Sequence, residues 1–135
     1  MQEREEMILL VLRDNTALPN VKQRIDVFSL KGMLALNSAQ KDNVPVFAVK
    51  QNCTKTDIES EEDLCEFGTV CNIVDVKKNG NGISVTLEGL KRARLEDLSA
   101  TAPFYKGGVI ESPGKLFDVE FKHNLYKGIL YKDIK

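Results

Sequence analysis

The first apolar run, Met7 to Leu12 (MILLVL), sits behind Glu3, Arg4, Glu5 and Glu6, which is how a short buried strand reads. Asp14, Asn15 and Pro19 then supply turn chemistry. Val21, Ile25 and Val27 in VKQRIDVF predict a second strand over 21–28. From Leu30 to Lys41 the period changes, and Met33, Leu36 and Ala39 fall on one side of a helix. Ser29 is placed to cap it by accepting a free backbone N–H. Gly32 weakens that helix by about 1 kcal/mol relative to Ala, so packing must hold it. Val44 to Val49 (VPVFAV) returns to strand, with Pro45 marking its start or an edge position.

Gln51 to Asp63 is polar and reads as a loop. Gly68 to Lys77 is β-branched and long. Asn79-Gly80 signals a hairpin, because both residues tolerate positive φ. Ile83, Val85 and Leu87 alternate on one face of the next strand. Gly89 marks a bend, Leu90 to Leu98 a further strand, and Ala102 to Glu111 the last of the set. After Pro113-Gly114 the pattern is ambiguous. Phe117, Val119 and Phe121 alternate like a strand, while Phe117, Phe121, Leu125 and Ile129 keep helical spacing. The expected fold is mainly β with accompanying helices, an antiparallel pseudo-barrel and not a βαβ fold. We place one domain over 1–112 and a divergent, helix-compatible tail over 113–135.

The composition changes this picture little. At 135 residues one domain is expected, and 42% hydrophobic content supports a core. A net charge of −1 supplies no global basic field toward nucleic acid or an anionic membrane. Three cysteines are an odd number at low density, which fits a reducing interior, so the expected location is the cytoplasm. No apolar run is long enough to span a bilayer as a helix.

The candidate chemistry is sparse. Cys65 and Cys71 are too far apart for a C-x-x-C pair, and Cys53 stands alone. Cys71 reads as a small core residue, and no metal is expected. His123, the one histidine, reads as a surface residue between Lys122 and Asn124. In LKRAR (90–94), Arg92 and Arg94 share one strand face and Lys91 and Ala93 the other, a solvated or salt-bridged arrangement. The acidic run from Asp57 to Asp63 reads as solvation. There is no phosphate loop, since Gly114-Lys115 is followed by Leu116. No catalytic residues and no cofactor are expected.

From Glu62 to Leu95 the chain reads EDLCEFGTVCNIVDVKKNGNGISVTLEGLKRARL. This resembles the amino-terminal substrate-recognition domain of the ATP-dependent Lon protease family, whose members carry E-D-L-Y-E-V-G-T-V-A-x-I, a turn, then E-G-L-x-R-A-R. Val11 to Asp14 and Leu18 to Asn20 resemble the family's opening P-L-R-D and F-P-G. Val46 to Gln51 resembles its L-V-A-Q-K. The likeness covers roughly residues 7–112. Cys65 and Cys71 stand where the family commonly has Tyr and Ala, and Phe28 stands where it usually has Gly.

The resemblance implies a PUA-like barrel that engages unfolded or tagged polypeptides and is followed by ATPase and peptidase parts not seen in this sequence. It also implies self-association as an expectation, because the family domain helps organise a ring. The resemblance puts the expected polypeptide contacts at Leu18, Pro19 and Val21, in the counterpart of the F-P-G loop. Phe104 and Tyr105 form a second candidate patch, the alternative being that Leu18 and Phe104 simply close the barrel ends. PUA-like barrels also occur in RNA-binding proteins. The charge balance and the lack of aromatics near LKRAR disfavour that alternative. A ligand- or degron-reading domain of the cereblon type would need a separate metal-bearing module.

Overall fold

The first strand recruits the charged residues ahead of its apolar run. In the computed structural model, which describes residues 4–13, 15–53 and 58–111, β1 spans Arg4–Leu12. β2 (Lys22–Val27), α1 (Leu30–Asp42), β3 (Val46–Lys50), β4 (Phe67–Asn79), β5 (Gly82–Ala100) and β6 (Lys106–Glu111) follow. Asp14, His123 and the tail over 113–135 lie outside the described residues.

The strands form one sheet in the order β2-β5-β4-β3-β1-β6, and β6 pairs back onto β5. The ring therefore closes through β5, β4, β3, β1 and β6. The 19-residue length of β5 makes this possible. Ile83 to Glu88 pairs with β2 and Ala93 to Ala100 with β6, both on the edge opposite β4. Every pairing is antiparallel except β1 with β3, which runs parallel in the register Ile8↔Val46. The crossover carrying β2 and α1 supplies the long connection that a parallel pair needs.

β1 and β3 are buried on both faces, which is why they read as unbroken apolar runs. Ile8, Leu10, Leu12, Val46 and Ala48 enter one core with Leu36 and Ala39 of α1. Met7, Leu9, Phe47 and Val49 enter a second core on the other face.

The helix begins and ends as expected. Ser29 Oγ accepts Gly32 N at 3.1 Å, and Asn43 closes the helix in the left-handed region at φ 56°. Gly32 is required by packing, because a Cβ there would lie 2.6 Å from Val27 Cγ1.

Five sequence expectations change. The hairpin loop is Gly80-Asn81, with Asn79 paired to Gly82 and Gly80 at φ +61°. A glycine at the first central position suits the tight turns that match strand twist. The strands expected on either side of Gly89 are one strand, because Leu90 bulges out between Cys71↔Gly89 and Val70↔Lys91. The polar loop over 51–63 contains a 3₁₀ turn at Glu61–Asp63. Within it Asp63 is buried and not solvated, its carboxylate accepting Glu59 N at 3.0 Å and Ser60 N at 3.4 Å. Arg92, read as part of a solvated face, is also buried.

Candidate functional site

The segment between β1 and β2 crosses the outside of the barrel and is tied down at each step. Ala17 is buried, and its carbonyl accepts Thr69 Oγ1 at 2.8 Å. Gln23, on β2, reaches back twice: its Oε1 accepts Leu18 N at 2.8 Å and its Nε2 donates to Thr16 O at 2.9 Å. Asn20, at φ 64°, donates its N–H to Gly89 O at 2.9 Å, and Gly89 N donates to Val21 O at 3.0 Å. Four apolar side chains are thereby held near the surface. Leu18 and Pro19 are half-buried, Val21 is 39% exposed, and Leu90, next to the Gly89 anchor, is 41% exposed.

Arg92 explains why the loop lies where it does. Its Nη1 donates to Thr69 Oγ1 at 3.0 Å, so that hydroxyl accepts from Arg92 while donating to Ala17 O. Burial pulls the Arg92 pKa below its ordinary value. The neighbouring cations behave as the sequence suggested, Lys91 pairing with Glu111 and Arg94 with Glu96, each at 3.2 Å.

Thr69→Val, which keeps the shape and deletes both bonds, is expected to cost about 1–3 kcal/mol. Its urea midpoint should fall, and the amides of residues 17 and 18 should exchange faster. An unchanged midpoint would show that the loop is held by other means.

Phe104 and Tyr105 do not form the exposed patch expected of them. Phe104 enters the first core and Tyr105 the second, the two residues just ahead of β6 being divided between the cores. Tyr105 is 7% exposed, and its hydroxyl accepts Ile58 N at 3.0 Å. Tyr105 also lines a cleft of about 710 Å³ with Arg13, Phe28, Leu30, Lys31 and Ile58, among others. Leu18, Pro19 and Val21 are not among the described lining residues.

Phe28 and Leu30, not singled out as candidates from the sequence, are 62% and 68% exposed. Two signals were available: an aromatic where the family usually has Gly, and a leucine off the Met33-Leu36-Ala39 side of α1.

The three cysteines are free thiols that pack in or beside the two cores. Cys71 is fully buried, and desolvation pushes its thiol up to about 12, so almost no thiolate exists near neutral pH. Cys53 and Cys65 pack at the edge of the second core. Among the described residues no group of three His, Cys, Asp or Glu side chains is placed to hold a metal.

Residues 6–124 match the model of the ATP-dependent protease La (LON) substrate-binding domain. The chain belongs to that family. The Lon protease of Porphyromonas gingivalis is 32% identical over 123 residues, covering 87% of this chain and 15% of that protein. The Lon protease of Escherichia coli is 32% identical over 114 residues, covering 82% and 14%. This Lon-type domain thus spans about one-seventh of the curated relatives it matches. In fold it resembles the amino-terminal domain of the Mycobacterium avium complex Lon protease, with a TM-score of 0.61 at 16% identity over 96% of this chain and 70% of that one. The Lon amino-terminal domain protein of Xanthomonas campestris gives 0.56 at 16% identity, over 80% and 57%. The Lon-type domain is a substrate-binding unit and not itself the catalytic part.

Proposed function

We propose that this domain captures unfolded or tagged polypeptides on the apolar surface made by Leu18, Pro19 and Val21, and delivers them to the ATPase and peptidase parts of a Lon-type protease. The observation that carries the reading is the loop itself. Apolar side chains left near water are costly unless something covers them, and here Gln23, Thr69 and Gly89 hold them in place. A rigid apolar surface binds with little ordering cost on the receptor side. In this reading Phe104 and Tyr105 support the barrel beneath the surface and do not touch the polypeptide. The remainder of a Lon-type protease is the expected partner, with self-association as part of a ring, and the cytoplasm the expected location. No helix of the described residues is long and apolar enough to cross a membrane.

The test is capture of a fluorescent, chemically unfolded polypeptide, followed by anisotropy. Leu18→Ser is expected to weaken it about tenfold, the equivalent of losing part of a leucine's burial. Thermal unfolding should stay cooperative. Capture should fall only mildly with added salt, because apolar contact is not screened. RNA binding would instead fall steeply. Unchanged capture by Leu18→Ser, or tight salt-sensitive RNA binding by the parent, would overturn the proposal.

A further inference from the structure

We infer that the open edge of β4 is a self-recognition surface, on which a second copy of this chain pairs antiparallel about a two-fold axis at Val76. This goes beyond the polypeptide-binding reading and stands without it.

The first observation is the edge itself. β3 covers β4 only at Thr69, Val70 and Cys71, and β5 lies along the other side. From Asn72 to Asn79 the edge on the β3 side has no strand against it among the described residues. The hairpin fixes which main-chain groups look outward. Asn79 and Gly82 flank a two-residue loop, and such a pair exchanges both its bonds. Bonded positions alternate from there, so Lys77 and Asp75 bond to β5, while Val76 turns its N–H and C=O to the open edge. Two Val76 residues, one from each copy, are therefore set to exchange the paired bonds of an antiparallel ladder.

The second observation is a charge pattern that is its own complement. A pair centred on Val76 sets Asp75 of each copy opposite Lys77 of the other. The two side chains share one face of β4, lie 3.8 Å apart within a copy, and are 52% and 75% exposed. Pairing across the axis gives each charge a second opposite neighbour. A lysine on a strand edge ordinarily discourages association, but here each is met by an aspartate. Centring the pair one residue later would set Lys77 against Lys77, and one residue earlier Asp75 against Asp75, so charge selects the register. An unrelated extended chain would find the main-chain bonds but not this alternation, which makes a second copy the fitting occupant.

The third observation is a cleft at the end of the open edge. Val74 bulges between the pairs Ile73↔Leu87 and Asp75↔Thr86, so regular pairing stops there. Beyond the bulge a cleft of about 500 Å³ lies between the end of α1 and β4, lined by Gln40, Asn43, Val44, Asn72 and Val74, among others. Pairing centred on Val76 brings the hairpin loop of the second copy, Gly80-Asn81, to the Asn72 end of the strand, at this cleft. The loop and the lining both carry carboxamides, which donate and accept at once. The loop would also cover Val44 and Val74, large apolar residues otherwise left exposed.

The test is sedimentation velocity of the full chain over rising concentration at low salt. The parent should form a reversible dimer. Asp75→Lys and Lys77→Asp should each weaken it about tenfold, because two opposite pairs become two like pairs. Mixed in equal amounts, the two variants should associate with each other about as the parent does, since the charges of one then complement those of the other. Both positions are exposed, so thermal unfolding should stay cooperative throughout. Val76→Pro, which removes an N–H that β5 does not use, should abolish association. A parent that stays monomeric up to about 1 mM would overturn the inference. So would a dimer indifferent to both charge reversals, or a mixture of the two variants that fails to restore it.

Discussion

Gly89→Ala is expected to destabilise the domain by about 1–3 kcal/mol and to remove most polypeptide capture. The added methyl would collide with the Leu18 carbonyl oxygen, and it would lie 2.9 Å from Leu18 C and 3.0 Å from Pro19 Cα. All three are backbone atoms, which cannot rotate away as the end of a side chain can. The loop must therefore lift, breaking the reciprocal bonds between Gly89 and residues 20 and 21. Denaturation would report the stability loss, and anisotropy with the unfolded reporter the loss of capture. Normal capture by a folded Gly89→Ala protein would mean that the loop's position does not matter to binding.

Phe47→Ala is expected to have the largest effect on stability, about 3–5 kcal/mol. Phe47 is fully buried in the second core, and its ring lies against Gly68, where a Cβ would come 2.7 Å from Cζ. Gly68 has no side chain with which to fill the space on that side. Domains of this size are commonly stable by only about 5–15 kcal/mol, so the variant should unfold at a much lower urea concentration. A loss below about 1 kcal/mol would mean that the core collapses around the cavity, contrary to this packing.

What the sequence revealed depends on the range of the forces involved. α1 was legible because its period and its Ser29 cap act within a few residues. β1 and β3 were legible because burial on both faces leaves an unbroken apolar run. Gly89 was legible as a bend, but not as part of a continuous β5, because the bulge at Leu90 exists only against β4. The hairpin appeared one residue early, since NGNG offers two equivalent signals and cross-strand packing chooses between them. The parallel pairing of β1 with β3 and the burial of Arg92 arise from long-range contacts, so no local pattern carries them. Of the candidate site, Leu18, Pro19 and Val21 were placed by their likeness to a family loop. Phe104 stayed open between an exposed patch and barrel closure, and Tyr105 was placed in the patch, because a local pattern cannot reveal cover on both sides. Phe28 stood out only as a departure from the family's glycine, because an exposed phenylalanine after a strand resembles one about to be buried.

The closed ring has a consequence for synthesis. β1 leaves the ribosome before either flanking strand, since β3 lies at 46–50 and β6 at 106–111. Until both arrive, MILLVL is an apolar strand with bare edges, the kind of segment that recruits other nascent chains. Arg4, Glu5 and Glu6 sit within the same strand, and charges flanking an apolar run disfavour its edge-to-edge association. Once β6 arrives, Arg4 pairs opposite Ile110 and its guanidinium meets Asp97 at 2.7 Å. The hydrogen bond from Arg4 then holds the Asp97 carboxyl below its ordinary range. A charge that would stand beside a bare apolar strand in the nascent chain thus ends in an ion pair across β6 in the closed ring.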